Sequence, residues 1–308
     1  MTTVAAIDCG TNSVRLLVAD LAPDGSVSER ARLMRIVRLG EGVDRTGAFS
    51  ADALGRTFTA LDEYAEVLAR EAVERVRFVA TSASRDVSNR DAFAAGVVQR
   101  VGVLPEVISG EEEAALSFLG AVRGLPAGAV RPPALVVDIG GGSTEFVRGS
   151  AAVDSAVSVD IGCVRMTERH LHGDPPTAAE VAAARADISA EVRRADGVIG
   201  LAGARTMVGL AGSVTTVAAM ALGLERYDAE VLHGSLIGVD QVADATDRLT
   251  AMTRSERSAL PYMHPGRVDV IAAGAMILRE AMLVGGYPEV RVSETDILDG
   301  IVYRFAQL

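Results

Sequence analysis

The sequence of 308 residues contains no lysine; all 30 of its Lys and Arg positions are arginine. A GC-rich coding bias accounts for such a replacement, but the physical consequence holds either way. Any cation that grips an anion here is a guanidinium, a fixed fork of donors suited to phosphate. Tryptophan is absent, aromatic residues make up 4%, and the formal net charge is -11. These values argue against a nucleic-acid binder, which needs a basic face and stacking platforms. Cysteine is scarce. Cys9 and Cys163 lie far apart without metal-ligand spacing, so they are expected to be packed, reduced thiols in a cytoplasmic protein. No apolar run reaches the roughly 18 residues of a membrane span. The opening "MTTVAAIDCG" lacks a basic segment, so no secretory signal is expected. The four histidines do not cluster, and His170 and His172 are read as surface residues at a helix end.

What is present is a repeat. "VAAIDCGTNSVRLLVAD" and "LVVDIGGGSTEFVRG" align Asp8 with Asp138, Gly10 with Gly140 and Ser13 with Ser143. Each copy reads as a strand, an Asp-x-Gly-x-x-Ser turn, a second strand and then a third, an antiparallel run and not a βαβ crossover. The Gly/Pro-rich "GLPAGAVRPP" separates the copies. Periodicity predicts helices over 50–73, 89–102, 111–124, 213–224, 240–252, 267–284 and 296–308. Another starts at Thr177, with a capping box to Glu180. Strands are expected over 76–82, 105–109, 206–212 and 289–294. The pattern predicts an α/β chain of two domains with mixed sheets, 1–124 plus 296–308 and 132–295.

The end of "LVVDIGGGST" strips side chains from the backbone at Gly140, Gly141 and Gly142. Successive N–H groups there suit an anion nest, with hydroxyls added by Ser143 and Thr144. A tight glycine hairpin is the plainer reading, although a hairpin needs at most two glycines. A dinucleotide loop is a poorer fit, because Glu145 stands where the third glycine belongs. Asp138, at the strand end, suits Mg²⁺ or another divalent cation, or simply caps the turn. Asp8 and Glu145 are further metal candidates. In the first copy, Gly10, Thr11, Asn12 and Ser13 form the matching phosphate loop. Arg15 shares the face of Ser13 by the strand period of two. It reads either as a phosphate contact or as an ordinary strand-surface residue. Ser82, Ser84 and Arg85 follow a strand end, where α/β sheets place ligands. Arg85 suits a phosphate clamp or a solvated loop. In "SGEEEA", Ser109 and Glu112 form a capping box, which leaves Glu113 unexplained by the cap.

The duplicated Asp-x-Gly turns resemble those of the actin, sugar-kinase and Hsp70 clan (ASKHA). Within it the chain resembles the Ppx/GppA family of exopolyphosphatases and guanosine pentaphosphate phosphohydrolases. Seven segments carry the likeness in family order: "DCGTNSVRLLVAD", "VATSASRDVSNRDAF", "VISGEEEAALSFLGA", "LVVDIGGGSTEFV", "GCVRMTE", "GLAGSVTTVAAM" and "PGRVDVIAAGAMIL". The resemblance implies two RNase H-like (actin-like ATPase) domains whose mixed sheets face across a cleft and grip one phosphate chain. It makes Glu113 the residue that activates water, assisted by Arg85, and makes Gly212 and Ser213 a third phosphate contact, with serine where the family more often has threonine. It implies Mg²⁺-dependent hydrolysis of terminal phosphate from inorganic polyphosphate. Guanosine pentaphosphate is the alternative substrate in the same cleft, and a phosphotransferase or a non-enzymatic filament or sensing module is a more distant reading. A homodimer without nucleic-acid or membrane partners is expected.

Overall fold

Alternation along one strand organises the first half of the protein. In β1 (Thr2–Cys9), Ala5, Ile7 and Cys9 join one buried cluster, while Val4 and Ala6 join another. A strand sends successive side chains to opposite faces, so β1 is buried on both. The structure, a computed structural model, describes residues 1–85 and 87–306. The chain divides into two compact units, Met1–Gly120 with Ile297–Leu308, and Ala121–Asp296.

In unit 1, β1 pairs antiparallel with β2 (Ser13–Leu21), which pairs with β3 (Val27–Ile36). The short α1 (Val43–Thr46) and the long α2 (Ala51–Arg70) precede β4 (Arg75–Ala80), which lies parallel to β1. After α3 (Arg90–Val101), β5 (Glu106–Val107) adds a parallel edge, and α4 (Gly110–Gly124) follows. The sheet order is β3-β2-β1-β4-β5. The cluster that holds Ala5 and Ile7 also contains Leu61 and Tyr64 of α2 and Phe93 and Val97 of α3.

Unit 2 repeats the plan with β6 (Ala134–Ile139), β7 (Thr144–Gly149) and β8 (Val153–Val159), again an antiparallel run. Then come α5 (Cys163–His170), α6 (Ala178–Ile199), β9 (Thr206–Leu210), α7 (Ala211–Ala221) and α8 (Ala229–Leu232). They are followed by β10 (Leu236–Gly238), α9 (Val239–Ala251), α10 (Arg254–Ser258), α11 (Ile271–Gly285) and β11 (Glu289–Val292). The order β10-β11-β9-β6-β7-β8 places parallel β9 and β11 beside the antiparallel run. Its core gathers Leu135 and Val137 with Ile188 of α6, Val217 of α7 and Ile277 of α11. Two sheets of this order are the RNase H-like, actin-like ATPase architecture. The closing helix α12 (Ile297–Phe305) returns to unit 1, where Ile301 and Val302 pack in one cluster with Val4 and Ala6. Gln307 and Leu308, to which the last helix was expected to run, lie outside the described residues.

Two boundaries differ from the sequence reading in ways that matter. The strand expected over 206–212 stops at Leu210, and α7 begins at Ala211, which holds a left-handed φ of 68°. A non-glycine residue there turns the chain abruptly at some energetic cost. Gly212 and Ser213 therefore sit in the first turn of a helix. Likewise the helix expected from 267 begins at Ile271, after a 3-10 turn over Pro265–Arg267. His264 sets that turn by accepting the Gly266 N–H at Nδ1 (3.1 Å).

Candidate active site

In unit 1 the turn between β1 and β2 is closed by the Gly10 N–H on the Ser13 carbonyl (2.9 Å). It is braced from behind. The Asn12 carbonyl accepts from the Val37 and Arg38 amides, and the Thr11 carbonyl accepts from the Gly40 amide. A Cβ on Gly40 would stand 2.3 Å from Thr11 Cγ2, so glycine is required for this close approach. Asn12 and Ser13 are half-buried and stay reachable. Thr11 is buried, with Oγ1 3.2 Å from Ser82 Oγ. Ser84 is fully buried, at 0% exposure, so its hydroxyl is out of reach of a ligand in this conformation.

The charged site candidates of unit 1 are paired. Asp8 and Arg15 are register partners across the hairpin, and Arg15 Nη2 lies 2.6 Å from Asp8 Oδ2. Arg85 donates to the Ile108 carbonyl (3.1 Å) and forms an ion pair with Glu113. The two residues expected to act together are thus in direct contact, and Arg85 is not a solvated loop residue. The Glu112 amide donates the cap bond to Ser109 Oγ (3.1 Å), while its carboxylate is on Arg77 (2.6 Å).

In unit 2 the Gly140 N–H bonds the Ser143 carbonyl (3.0 Å), the same closure as in the first copy. Here α5 braces the loop. The Cys163 amide donates to the Gly140 carbonyl, and the Val164 and Arg165 amides donate to that of Gly141. Arg165 Nε donates to the Gly142 carbonyl (2.7 Å). A Cβ on Gly162 would fall 2.2 Å from the Gly141 oxygen, so only glycine lets the helix start so close. The loop carbonyls are therefore occupied by α5, and backbone N–H groups are what an anion can use. The hydroxyls point elsewhere. Ser143 Oγ donates to Glu145 Oε1 (2.7 Å), and Thr144 Oγ1 donates to the Ile161 carbonyl.

Asp138 and Glu145 are register partners, and both are buried. Directly opposed residues share one face with Cβ atoms roughly 5 Å apart, and like charges there repel. Serine hydroxyls offset part of this, since Ser158 Oγ also donates to Glu145 Oε1 (2.7 Å). A divalent cation is another group that would offset the repulsion. These two carboxylates fit one, whereas Asp8 is already held by Arg15.

The third segment is the elbow between β9 and α7. Ser213 is buried, and its Oγ lies 2.2 Å from where a Gly274 Cβ would stand, a position also bordered by Cys163. Its hydroxyl thus points into the interior and not outward to a ligand. Burial pushes the Cys163 thiol up, and does the same more strongly to Cys9, with the Asp8 charge adding to it. Both cysteines are packed, protonated thiols. Sequence reasoning missed Arg267. Its guanidinium lies over Gly212, where a Cβ would stand 2.2 Å from Cζ, and Nη1 donates to Thr216 (3.1 Å). The Pro-Gly-Arg turn was visible in the sequence, but nothing local tied it to Gly212. His170, read as a surface residue, is half-buried and bonds Asp187 (2.8 Å). His172 is exposed.

Comparison with known proteins places this geometry. The profile of the Ppx/GppA phosphatase family matches residues 18–307. Exopolyphosphatase 2 of Mycobacterium tuberculosis is 50% identical over 318 aligned positions, covering 99% of both chains. The crystal structure of an exopolyphosphatase-like protein, 41% identical, superposes with a TM-score of 0.95 over 99% of this chain and 98% of the other. The guanosine-5'-triphosphate,3'-diphosphate pyrophosphatase of Vibrio cholerae is 42% identical over 168 residues, 54% of this chain and 33% of its own.

Proposed function

The chain belongs to the Ppx/GppA phosphatase family, and on that premise we propose that it is an exopolyphosphatase, releasing terminal phosphate from linear inorganic polyphosphate. The observation that carries this reading is Glu113, a buried carboxylate paired with Arg85 in unit 1. The end-to-end similarity to exopolyphosphatase 2 supports it. In each unit the backbone N–H groups of the glycine turn would serve phosphate oxygens, with Asn12 and Ser13 as added donors in unit 1 and Arg267 in unit 2.

An arriving phosphate competes with Glu113 for the Arg85 guanidinium. As Arg85 turns to the phosphate, Glu113 loses its counter-charge and becomes the stronger base. It then takes a proton from the attacking water, which displaces the rest of the chain in line. Asp138 and Glu145 would hold Mg²⁺, whose chemistry here is charge neutralisation on the transferred group. Among the described residues no three or more His, Cys, Asp or Glu side chains gather as a metal site, so water and phosphate oxygens would supply the other ligands.

Guanosine pentaphosphate is the second reading, supported by the likeness to the Vibrio cholerae enzyme. Family resemblance also supports a cytoplasmic homodimer, and no helix among the described residues is long and apolar enough to cross a membrane. The test is one assay of phosphate release from short polyphosphate, long polyphosphate, guanosine pentaphosphate and ATP, with and without Mg²⁺. Mg²⁺-dependent turnover highest on polyphosphate is expected. Turnover confined to guanosine pentaphosphate would select the second reading, and transfer to an acceptor without free phosphate would overturn both.

A further inference from the structure

A run of polar contacts in unit 2 starts at His233 and ends on the elbow. His233 stands between the two stretches that flank the chain's passages from unit to unit. Its Nε2 is 3.1 Å from the Gly124 carbonyl, and its Nδ1 accepts from the Glu294 amide (3.2 Å). The two ring nitrogens thus tie together the backbone at Gly124 and at Glu294. The Glu294 side chain continues the run, with Oε1 2.6 Å from the Tyr227 hydroxyl. That hydroxyl is shared with Thr215 Oγ1 (2.8 Å), in the first turn of α7. The next residue, Thr216, holds Arg267 over Gly212. The backbone joins in, since the Ser293 amide donates to the Gly209 carbonyl (2.9 Å) just before the elbow.

We propose that Glu294 and Tyr227 are positioning residues, which hold the first turn of α7 and Arg267 in the arrangement that meets substrate phosphate. This rests on the reading of the elbow as a phosphate contact. Neither residue needs to touch substrate. Two features of the pair support a task beyond filling space. Glu294 is half-buried, and the hydroxyl of Tyr227, a residue itself 37% exposed, is tied to both Glu294 and Thr215. Burial pushes the Glu294 carboxyl above its ordinary range, while Tyr227 and Arg267 pull it back, and burial pushes Tyr227 up to about 12. The Arg267 charge also acts on both groups.

The experiment compares Tyr227→Phe, Glu294→Gln and the double variant with the unaltered protein. It reads kcat and KM for Mg²⁺-dependent phosphate release from short polyphosphate, and amide hydrogen exchange over 211–217. A loosened Arg267 weakens ground-state and transition-state binding alike, so KM should rise about tenfold with kcat nearly unchanged. A fold defect would instead lower the active fraction, reducing kcat at constant KM. The double variant should be no worse than the weaker single one, because both cut the same run of contacts. Exchange over 211–217 should quicken in all three. Unchanged exchange, or a KM within twofold of the unaltered protein, overturns the proposal. If the unaltered protein releases no phosphate from any substrate, the functional reading fails, and exchange still tests whether the pair fixes the elbow.

Discussion

In the first hairpin Asp8 lies opposite Arg15; in the second, at the equivalent positions, Asp138 lies opposite Glu145. The backbone closure is the same in both, Gly10 to Ser13 at 2.9 Å and Gly140 to Ser143 at 3.0 Å. Duplication has kept the turn, which needs only a glycine and its spacing, and has let the charge across from the acid change sign. Unit 1 matches its candidate acids with guanidinium groups, since Glu113 also has Arg85. Unit 2 sets two carboxylates side by side. The first arrangement suits a base whose counter-charge can be drawn away by a phosphate. The second suits a cation.

The largest effect should come from removing Glu113, the proposed base in unit 1. Glu113→Gln is expected to lower kcat by ~10²–10⁴, the usual worth of general base catalysis, while polyphosphate binding holds or tightens. Glu112→Gln is the comparison, costing at most ~1 kcal/mol of stability, because its pair with Arg77 is largely solvent-screened. Stopped assays on both variants decide it, and an inactive Glu112→Gln beside an active Glu113→Gln would invert the assignment. Next in size, Asp138→Asn and Glu145→Gln should each reduce turnover about 100-fold, and excess Mg²⁺ should restore part of it. Asp8→Asn should show no such rescue. A Mg²⁺ titration in which Asp8→Asn is rescued and Asp138→Asn is not would exchange the roles of the two hairpins.

A stability test comes third. Arg15→Gln strands a nearly buried Asp8, with side-chain exposures of 20% for Arg15 and 6% for Asp8. The expected loss is about 2 kcal/mol, below the ~3–5 of a wholly buried pair, and denaturant unfolding would measure it. The smallest effect separates the two turns themselves. A Cβ on Gly140 would stand 3.0 Å from the Ser143 carbonyl oxygen, against 3.6 Å between the Gly10 position and Ser13. Gly140→Ala should therefore destabilise by about 1 kcal/mol. Gly10→Ala should be neutral or slightly stabilising through the unfolded chain. Equal shifts in melting temperature would mean that the turns are interchangeable after all.

Much of this was readable in advance where local pattern decides. The period of two in β1 and the capping box from Thr177 to Glu180 appear as the sequence reads. The hairpin register also lay within reach. A fixed turn between Cys9 and Ser13 puts Arg15 opposite Asp8, a pairing that the strand period alone did not suggest. Another capping box, Thr253 to Glu256, opens α10 and was overlooked because five residues show no periodicity. What could not be read depends on distant partners. Nothing near Ser213 announces that its hydroxyl meets Gly274, or that Ser84 is sealed from solvent. The left-handed Ala211 breaks the rule that such backbone belongs to glycine, and so the helix start was placed too late.

The seating of α5 against the second loop has an electrostatic consequence. A helix that begins with its amides on the Gly140 and Gly141 carbonyls brings the positive end of its peptide dipoles to the loop. Dipoles add no net charge, and their field fades within about a turn. A chain with a net charge of -11 can then repel a polyanion at a distance and still hold its end on contact. Salt screens the first effect and hardly reaches the second. Capture of long polyphosphate would accordingly be faster in moderate salt than in none, the opposite of a protein that draws its polyanion in with a basic groove.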